Sequence, residues 1–252
     1  MTDEEIVLQK RFIELAEKSF QGNIYTFTGF LGMAEQNLFL QVQSKIRHVK
    51  YRMYGGRNLA DRVMIRFGDE EEYGYTEDFP ITCIHVEPLQ KKYADDLTHR
   101  DFLGAIMNLG INRSEVGDIV VTDREAYIFC TEKMTPYIME QLDRIRHTNV
   151  KCSIASEIPE QARVKLETVM IQASSERIDG VIAKVYKLSR SDSLELFRQA
   201  KVYVNGRICE SNSLNLKKDD VISVRGYGKF CYRGSINITR KGKENIQIEK
   251  YI

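Results

Sequence analysis

Histidines and cysteines are the first side chains to consider for covalent or metal chemistry, and neither set is spaced for it. His48, His85, His99 and His147 stand far apart and match no metal-ligand spacing. Cys83, Cys130, Cys152, Cys209 and Cys231 occur singly, with no C-x-x-C. Such a scatter predicts reduced core thiols in a cytoplasmic protein. There is no phosphate-binding loop, no G-x-G-x-x-G after a strand and no G-x-S-x-G elbow. A site assembled from distant residues would leave no such local mark, so these absences lower the odds of an enzyme without deciding the matter. No cofactor and no metal are expected.

Positive charge, in contrast, is placed where it could work. From Arg177 to the end there are 16 Lys and Arg against 8 Asp and Glu, whereas residues 1–176 hold 21 against 28. Uneven charge alone leaves a solvated surface and a nucleic-acid partner equally open. The stretch "LSRSDSLELFRQAKVYVNG" adds pattern to it. Ser189 is placed to cap a helix, with Asp192 three residues on. A helix N-terminus offers unpaired N–H groups and a positive dipole end, so Ser189, Arg190 and Ser191 could grip a phosphate. Arg198 lies two helical turns past Arg190, nearly on the same face, and Lys201 follows. Asn205 and Arg207 flank a hairpin tip, and Arg225 with Lys229 in "VRGYGKF" could widen the surface. Arg177, Lys184 and Lys187, on and after the preceding helix, complete the candidate RNA-binding set. Arg57, Arg62, His99 and Arg100 are candidates for a second contact. For His99 and Arg100, helix capping and a surface salt bridge are equally good readings.

The elements that must position these residues are legible in outline. The 252 residues suffice for two or three domains, and 42% hydrophobic with 29% charged residues is a globular composition. No apolar run approaches membrane-spanning length, and the acidic, amphipathic "MTDEEIVLQK" fits neither a secretory signal nor a transit peptide. Residues 1–75 read as an N-terminal α/β domain. It holds a helix with Ile6, Phe12, Ile13, Ala16 and Phe20 in one stripe, a second helix, and two strands. "GGRNLADR" between those strands predicts a double-glycine turn and a short helical turn. Residues 76–156 run β-α-β-β-α-β, the ferredoxin-like order shared with RNA-recognition-motif domains. Thr98 with Asp101 resembles a capping box there, and Tyr127 and Phe129 read as core or partner-facing aromatics rather than base-stacking ones. Residues 157–173 read as a helical connector. Residues 174–252 read as a helix pair on a small sheet, the first helix capped by Ser174 or Ser175, with a hairpin at Asn205-Gly206. The fold class is α+β with three modules.

On these residues a resemblance rests. Arg177-Ile178-Asp179, Ser189-Arg190, Val202-Tyr203-Val204-Asn205-Gly206 and Asp219-Asp220-Val221-Ile222 resemble the S-four RNA-binding domain, named after small-subunit ribosomal protein four. The departures are Ile178 where Leu is usual, Ser193 where Ala is usual, and Ala200 and Asp219 where the family has Gly. An Ala at a position needing φ > 0 costs roughly 1 kcal/mol. "LTHRDFLGAIMNLGINRSEVGDI" and "GGRNLADR" resemble signatures of the YlmH-like proteins, which end in an S-four domain. "TGFLGMAEQ" departs from that pattern, with Gly32-Met33 in place of Asp-Pro.

The resemblance, and not composition, implies a non-enzymatic RNA-binding factor on the large ribosomal subunit. Its expected partners are rRNA, the tRNA of a stalled peptidyl-tRNA complex, and a quality-control factor that tails the nascent chain. A monomer in the cytoplasm is expected, with no membrane. The alternatives are an rRNA- or tRNA-modifying enzyme, since S-four domains accompany such enzymes, and a cell-division adaptor, which would not need the basic face.

Overall fold

Thr2 and Glu5 open the first helix by capping each other. The Glu5 amide donates to the Thr2 hydroxyl at 3.2 Å and the Thr2 amide to the Glu5 carboxylate at 3.1 Å. The computed structural model describes residues 2–160, 163–239 and 242–252, and the chain divides into two units, Met1–Arg163 and Val164–Ile252.

In the first unit, helix α1 (Asp3–Gly22) and helix α2 (Met33–Val42) pack on a three-stranded antiparallel sheet ordered β1-β3-β2. Its strands are β1 (Thr26–Phe27), β2 (Tyr51–Tyr54) and β3 (Met64–Phe67). Phe12, Leu15, Phe39, Ile65 and Phe67 fill the space between. Phe20, expected in the apolar stripe of α1, is instead exposed and rests edge-on against His48. The acidic helix α3 (Glu70–Tyr73) follows.

The same unit continues with β4 (Ile81–Pro88), α4 (His99–Asn108), β5 (Val116–Thr122), β6 (Glu125–Thr131), α5 (Thr135–Gln141), β7 (Arg144–Ile145) and β8 (Thr148–Ile154). The strand order β5-β6-β4-β8-β7 is antiparallel throughout, the ferredoxin-like arrangement with a small edge hairpin added. Alternation along the strands sends two sets of side chains to opposite faces. Ile84, Val86 and Ile128 join Phe102, Ile106 and Ile138 of the helices. On the other face Phe129 packs with Phe30 and Met64 of the preceding segment, and with Ile81, Cys83 and Val120. Tyr127 lies flat under His85, ring centroids 4.7 Å apart. Both aromatics are core.

The second unit is a six-stranded antiparallel sheet, ordered β11-β10-β12-β13-β14-β9, with two helices. Its elements are β9 (Leu166–Ala173), α6 (Ile178–Val185), α7 (Arg190–Arg198), β10 (Val202–Val204), β11 (Arg207–Ile208), β12 (Val221–Val224), β13 (Gly228–Ile238) and β14 (Glu244–Tyr251). The helical connector expected over 157–173 is therefore wrong from Leu166 onward. Val169, Ile171 and Ala173 face inward while Thr168, Met170 and Gln172 face out, and this period of two pairs the segment with β14 from Leu166↔Tyr251 to Ala173↔Glu244.

The helix pair forms as the sequence predicts, with one change of cap. Neither Ser174 nor Ser175 caps α6; its N-cap is Arg177. The buried Asp179 holds this end, accepting from the Gly180 amide at 2.9 Å and from Arg177 through two bonds of 3.1 and 2.9 Å. Ser193 is fully buried where the helices meet, and its hydroxyl donates to the Asp179 carbonyl at 2.8 Å. A small residue is required there, and Ser meets the requirement with its polar atom satisfied. Ala200 and Asp219, the two glycine replacements, both adopt the left-handed conformation, at φ 51° and 72°.

Candidate nucleic-acid interface

Cations from two helices converge between α6 and α7 in the second unit. A groove of about 290 Å³ has Ser174, Ser175, Arg177, Asp179, Lys184 and Arg190 among its lining residues. Lys184 arrives from the last turn of α6 and Arg190 is the first residue of α7, directly after its cap. The Asp192 amide donates to the Ser189 hydroxyl at 3.1 Å, and Ser191 lies 2.8 Å from that hydroxyl. Lys184 and Arg190 are exposed and have no carboxylate partner among the described residues. Arg177 is different: its bidentate bond to Asp179 raises its pKa and leaves it part-neutralised at the groove floor.

The remaining candidates of this unit spread outward. Arg198 is exposed and meets Glu195 at 3.3 Å, a solvent-screened pair of little strength. Lys187 ends the α6 turn at φ 54°, exposed. Arg225 lies over the Tyr203 ring at 5.0 Å and Lys229 over Tyr251 at 4.0 Å, which fixes both cations in direction. Lys201 is half-buried and Arg207 is exposed on the hairpin. Asn205 belongs to another role. Its side chain donates to Asp220 at 2.8 Å and accepts from the Val221 amide at 2.9 Å, and with φ 50° before Gly206 at 78° it builds the tight turn. Its amide is engaged in the hairpin instead of being offered to RNA.

In the first unit the expected second contact divides. Arg57 and Arg62 are joints between segments. Asp118, 7% exposed on β5, accepts from Arg57 Nε at 2.9 Å and Nη2 at 2.6 Å, and from the Asp61 and Arg62 amides at 3.0 Å each. The Arg62 guanidinium donates to the carbonyls of Phe30, Val116 and Arg113 at 2.9, 3.0 and 3.2 Å. Desolvation lowers the pKa of Arg62, and burial together with the Arg62 charge pushes Arg113 down to about 10. The helical turn expected in "GGRNLADR" does not form, because its backbone donors are drawn to Asp118. The two glycines are needed for this path. A Cβ on Gly55 would lie 2.2 Å from the Arg62 carbonyl oxygen, and one on Gly56, at φ 87°, 2.3 Å from the Phe129 ring.

His99 and Arg100 remain on the surface, at the first turn of α4. Thr98 caps that turn, its amide and hydroxyl donating to Asp101 at 2.9 and 2.7 Å. Partial desolvation and the nearby Arg113 charge hold the His99 pKa below 6.5. Asp118 is the residue that sequence reasoning passed over. An acid inside the apolar strand "GDIVV" demands a buried partner, and that was the available signal. Among the described residues no group of His, Cys, Asp and Glu is arranged to hold a metal ion, and no helix is long and apolar enough to cross a membrane.

Comparison with known proteins adds family information. Residues 75–157 match the family described as "Putative RNA-binding domain in YlmH". The Ribosome-associated protein quality control protein P2 of Bacillus subtilis (strain 168) is 26% identical over 231 residues, covering 88% of this chain and 86% of the relative. Among solved structures, the cell division protein ylmH from Streptococcus pneumoniae aligns with a TM-score of 0.49 at 19% identity, over 62% of this chain and 93% of that one.

Proposed function

We propose that this YlmH-like chain is a non-enzymatic RNA-binding factor of ribosome-associated quality control. In this reading it acts on the large ribosomal subunit that carries peptidyl-tRNA, alongside a factor that tails the stalled chain. The second unit serves as an S-four-type clamp on the phosphates of rRNA and tRNA. The carrying observation is the groove that Lys184 and Arg190, from two separate helices, both line without a carboxylate partner among the described residues, its one lining carboxylate, Asp179, being paired with Arg177. The Ser189-capped end of α7 adds oriented N–H groups beside them. The relative's name supports the ribosomal setting.

Such a clamp works by positioning. Phosphate contacts fix register and carry little sequence information, and each displaces condensed counterions, so affinity falls with salt. Arg57 and Arg62 leave the contact set, because their donors hold the first unit together; His99 and Arg100 stay in it. The test is sedimentation with ribosomes across a salt series, for the unaltered chain and for Lys184→Ala with Arg190→Ala. The expected outcome is release at lower salt for the double variant, with a shallower salt dependence. Unchanged sedimentation at every salt concentration would overturn the clamp.

A further inference from the structure

The central domain of an RNA-binding family would be expected to use its sheet, yet that face is closed. Phe129 is 2% exposed and packed on Phe30 and Met64, and Tyr127 is 8% exposed under His85. Any RNA contact by this domain has to be made elsewhere. The end of β4 offers a place. Tyr93 is 75% exposed, more than any other large apolar side chain among the described residues, and Leu89 beside it is 58% exposed.

This corner is a fixed shelf. The Leu89 amide donates to the Asn149 carbonyl at 2.9 Å and the Asp95 amide to the Thr148 hydroxyl at 2.8 Å. Asp95 accepts in return from the His147 amide at 3.1 Å, tying the β4–α4 loop to the β7–β8 hairpin. Between them lies a groove of about 200 Å³, lined by Leu89, Gln90, Tyr93, His147, Thr148 and Asn149. Lys92 sits 5.5 Å from the centre of the Tyr93 ring, and Arg144 is the cross-strand neighbour of Asn149.

Two cations stand at the shelf. Lys92 and Arg144 have no carboxylate partner among the described residues, Arg144 Nε donating to the Arg146 carbonyl at 3.0 Å, whereas three acids of this corner are engaged. Asp95 holds the hairpin, Asp96 pairs with Arg124 at 2.8 Å, and Glu125 pairs with Lys91. An exposed ring to stack on, amide groups to meet a base edge, and unpaired cations for a phosphate match a nucleotide whose base is free of a helix.

We propose that this corner binds one unpaired nucleotide of single-stranded RNA, stacked on Tyr93, with Lys92 and Arg144 on its phosphates. The inference rests on the RNA-binding reading above and gives the central domain its own part in it. The test uses the full chain with two labelled probes, a short oligouridine and a blunt RNA duplex of equal length, read by fluorescence anisotropy. Tyr93→Ala is expected to weaken oligouridine binding about tenfold and leave duplex binding unchanged, with Tyr93→Phe restoring affinity. Lys184→Ala with Arg190→Ala is expected to weaken the duplex. Oligouridine binding unaffected by Tyr93→Ala, with the duplex still dependent on Lys184 and Arg190, would overturn the corner and leave the clamp standing. No binding of either probe by the unaltered chain would overturn both. A photo-reactive group at position 93 that crosslinks on ribosomes to protein and never to RNA would also overturn it.

Discussion

Two clusters of basic residues, one in each unit, use the same side chains for opposite ends. Around Asp118, Arg57 and Arg62 are largely enclosed; Arg57 Nε and Nη2 meet the carboxylate and the Arg62 guanidinium meets backbone carbonyls, while the buried Arg57 Nη1 has no partner among the described residues. Around the second unit's groove, Lys184 and Arg190 stand in water without a carboxylate partner among the described residues. An arginine in a loop is thus no evidence of a ligand until its donors are accounted for. A guanidinium whose N–H groups are satisfied inside the fold contributes to cohesion, and one left in solvent contributes potential for an anion.

The contrast breaks most visibly at Asp118. Asp118→Ala leaves the Arg57 and Arg62 region with a buried, unmatched charge and four lost hydrogen bonds. Breaking a buried pair from one side costs about 3–5 kcal/mol, so urea unfolding of the first unit should shift to a much lower midpoint. A loss under about 1 kcal/mol would mean that water reaches the cluster and that these arginines are closer to the exposed class.

The opposite substitution tests the other half. Lys184→Ala with Arg190→Ala should leave stability within about 0.5 kcal/mol, as for surface positions free of special contacts. The same pair should reduce the slope of log affinity against log salt by about 2 for duplex RNA. A large drop in stability instead would make the groove a second structural cluster and erase the distinction.

A smaller effect sits at Ala200, in the turn that follows α7. Its φ of 51° is left-handed, which a Cβ opposes. Ala200→Gly should stabilise the second unit by about 1 kcal/mol, measured by denaturant unfolding. Asp219, at φ 72°, is a poorer place for the same test, since its carboxylate pairs with Arg233 and would be lost too.

What was legible in the sequence was local. The Ser189 cap, the Thr98–Asp101 pair and the Asn205-Gly206 turn depend on neighbours a few residues away, and each forms. The ferredoxin-like order followed from periodicity and turn residues. What was missed depends on partners distant in the chain. β9 becomes a strand because β14, at the far end of the unit, offers it an edge. The "GGRNLADR" loop takes its shape from Asp118, and Arg57 and Arg62 looked available because nothing near them in sequence announces that carboxylate. In the second unit Lys184 and Arg190 lie on the two helices that local sequence predicts, while the Asn205 amide braces its own hairpin through Asp220 and Val221, partners 15 and 16 residues away.

The least effect, and the one that refines the boundary between the two classes, belongs to His99. It lies on the surface yet beside the enclosed cluster, and partial desolvation followed by the Arg113 charge keeps its pKa below 6.5. In the unfolded chain it titrates near 6.5. As pH falls through that value the unfolded chain takes up a proton first, so the folded state loses stability from about 6.5 down to the folded pKa and then no further. Above 6.5 the full stability is present. Urea midpoints followed from neutral to mildly acidic pH should therefore fall less steeply for His99→Gln than for the unaltered chain, and the His99 imidazole resonance should titrate below 6.5. A resonance titrating above that value would place an anion or carboxylate against the ring, and His99 would then belong with the enclosed cluster around Asp118 rather than with the contact surface.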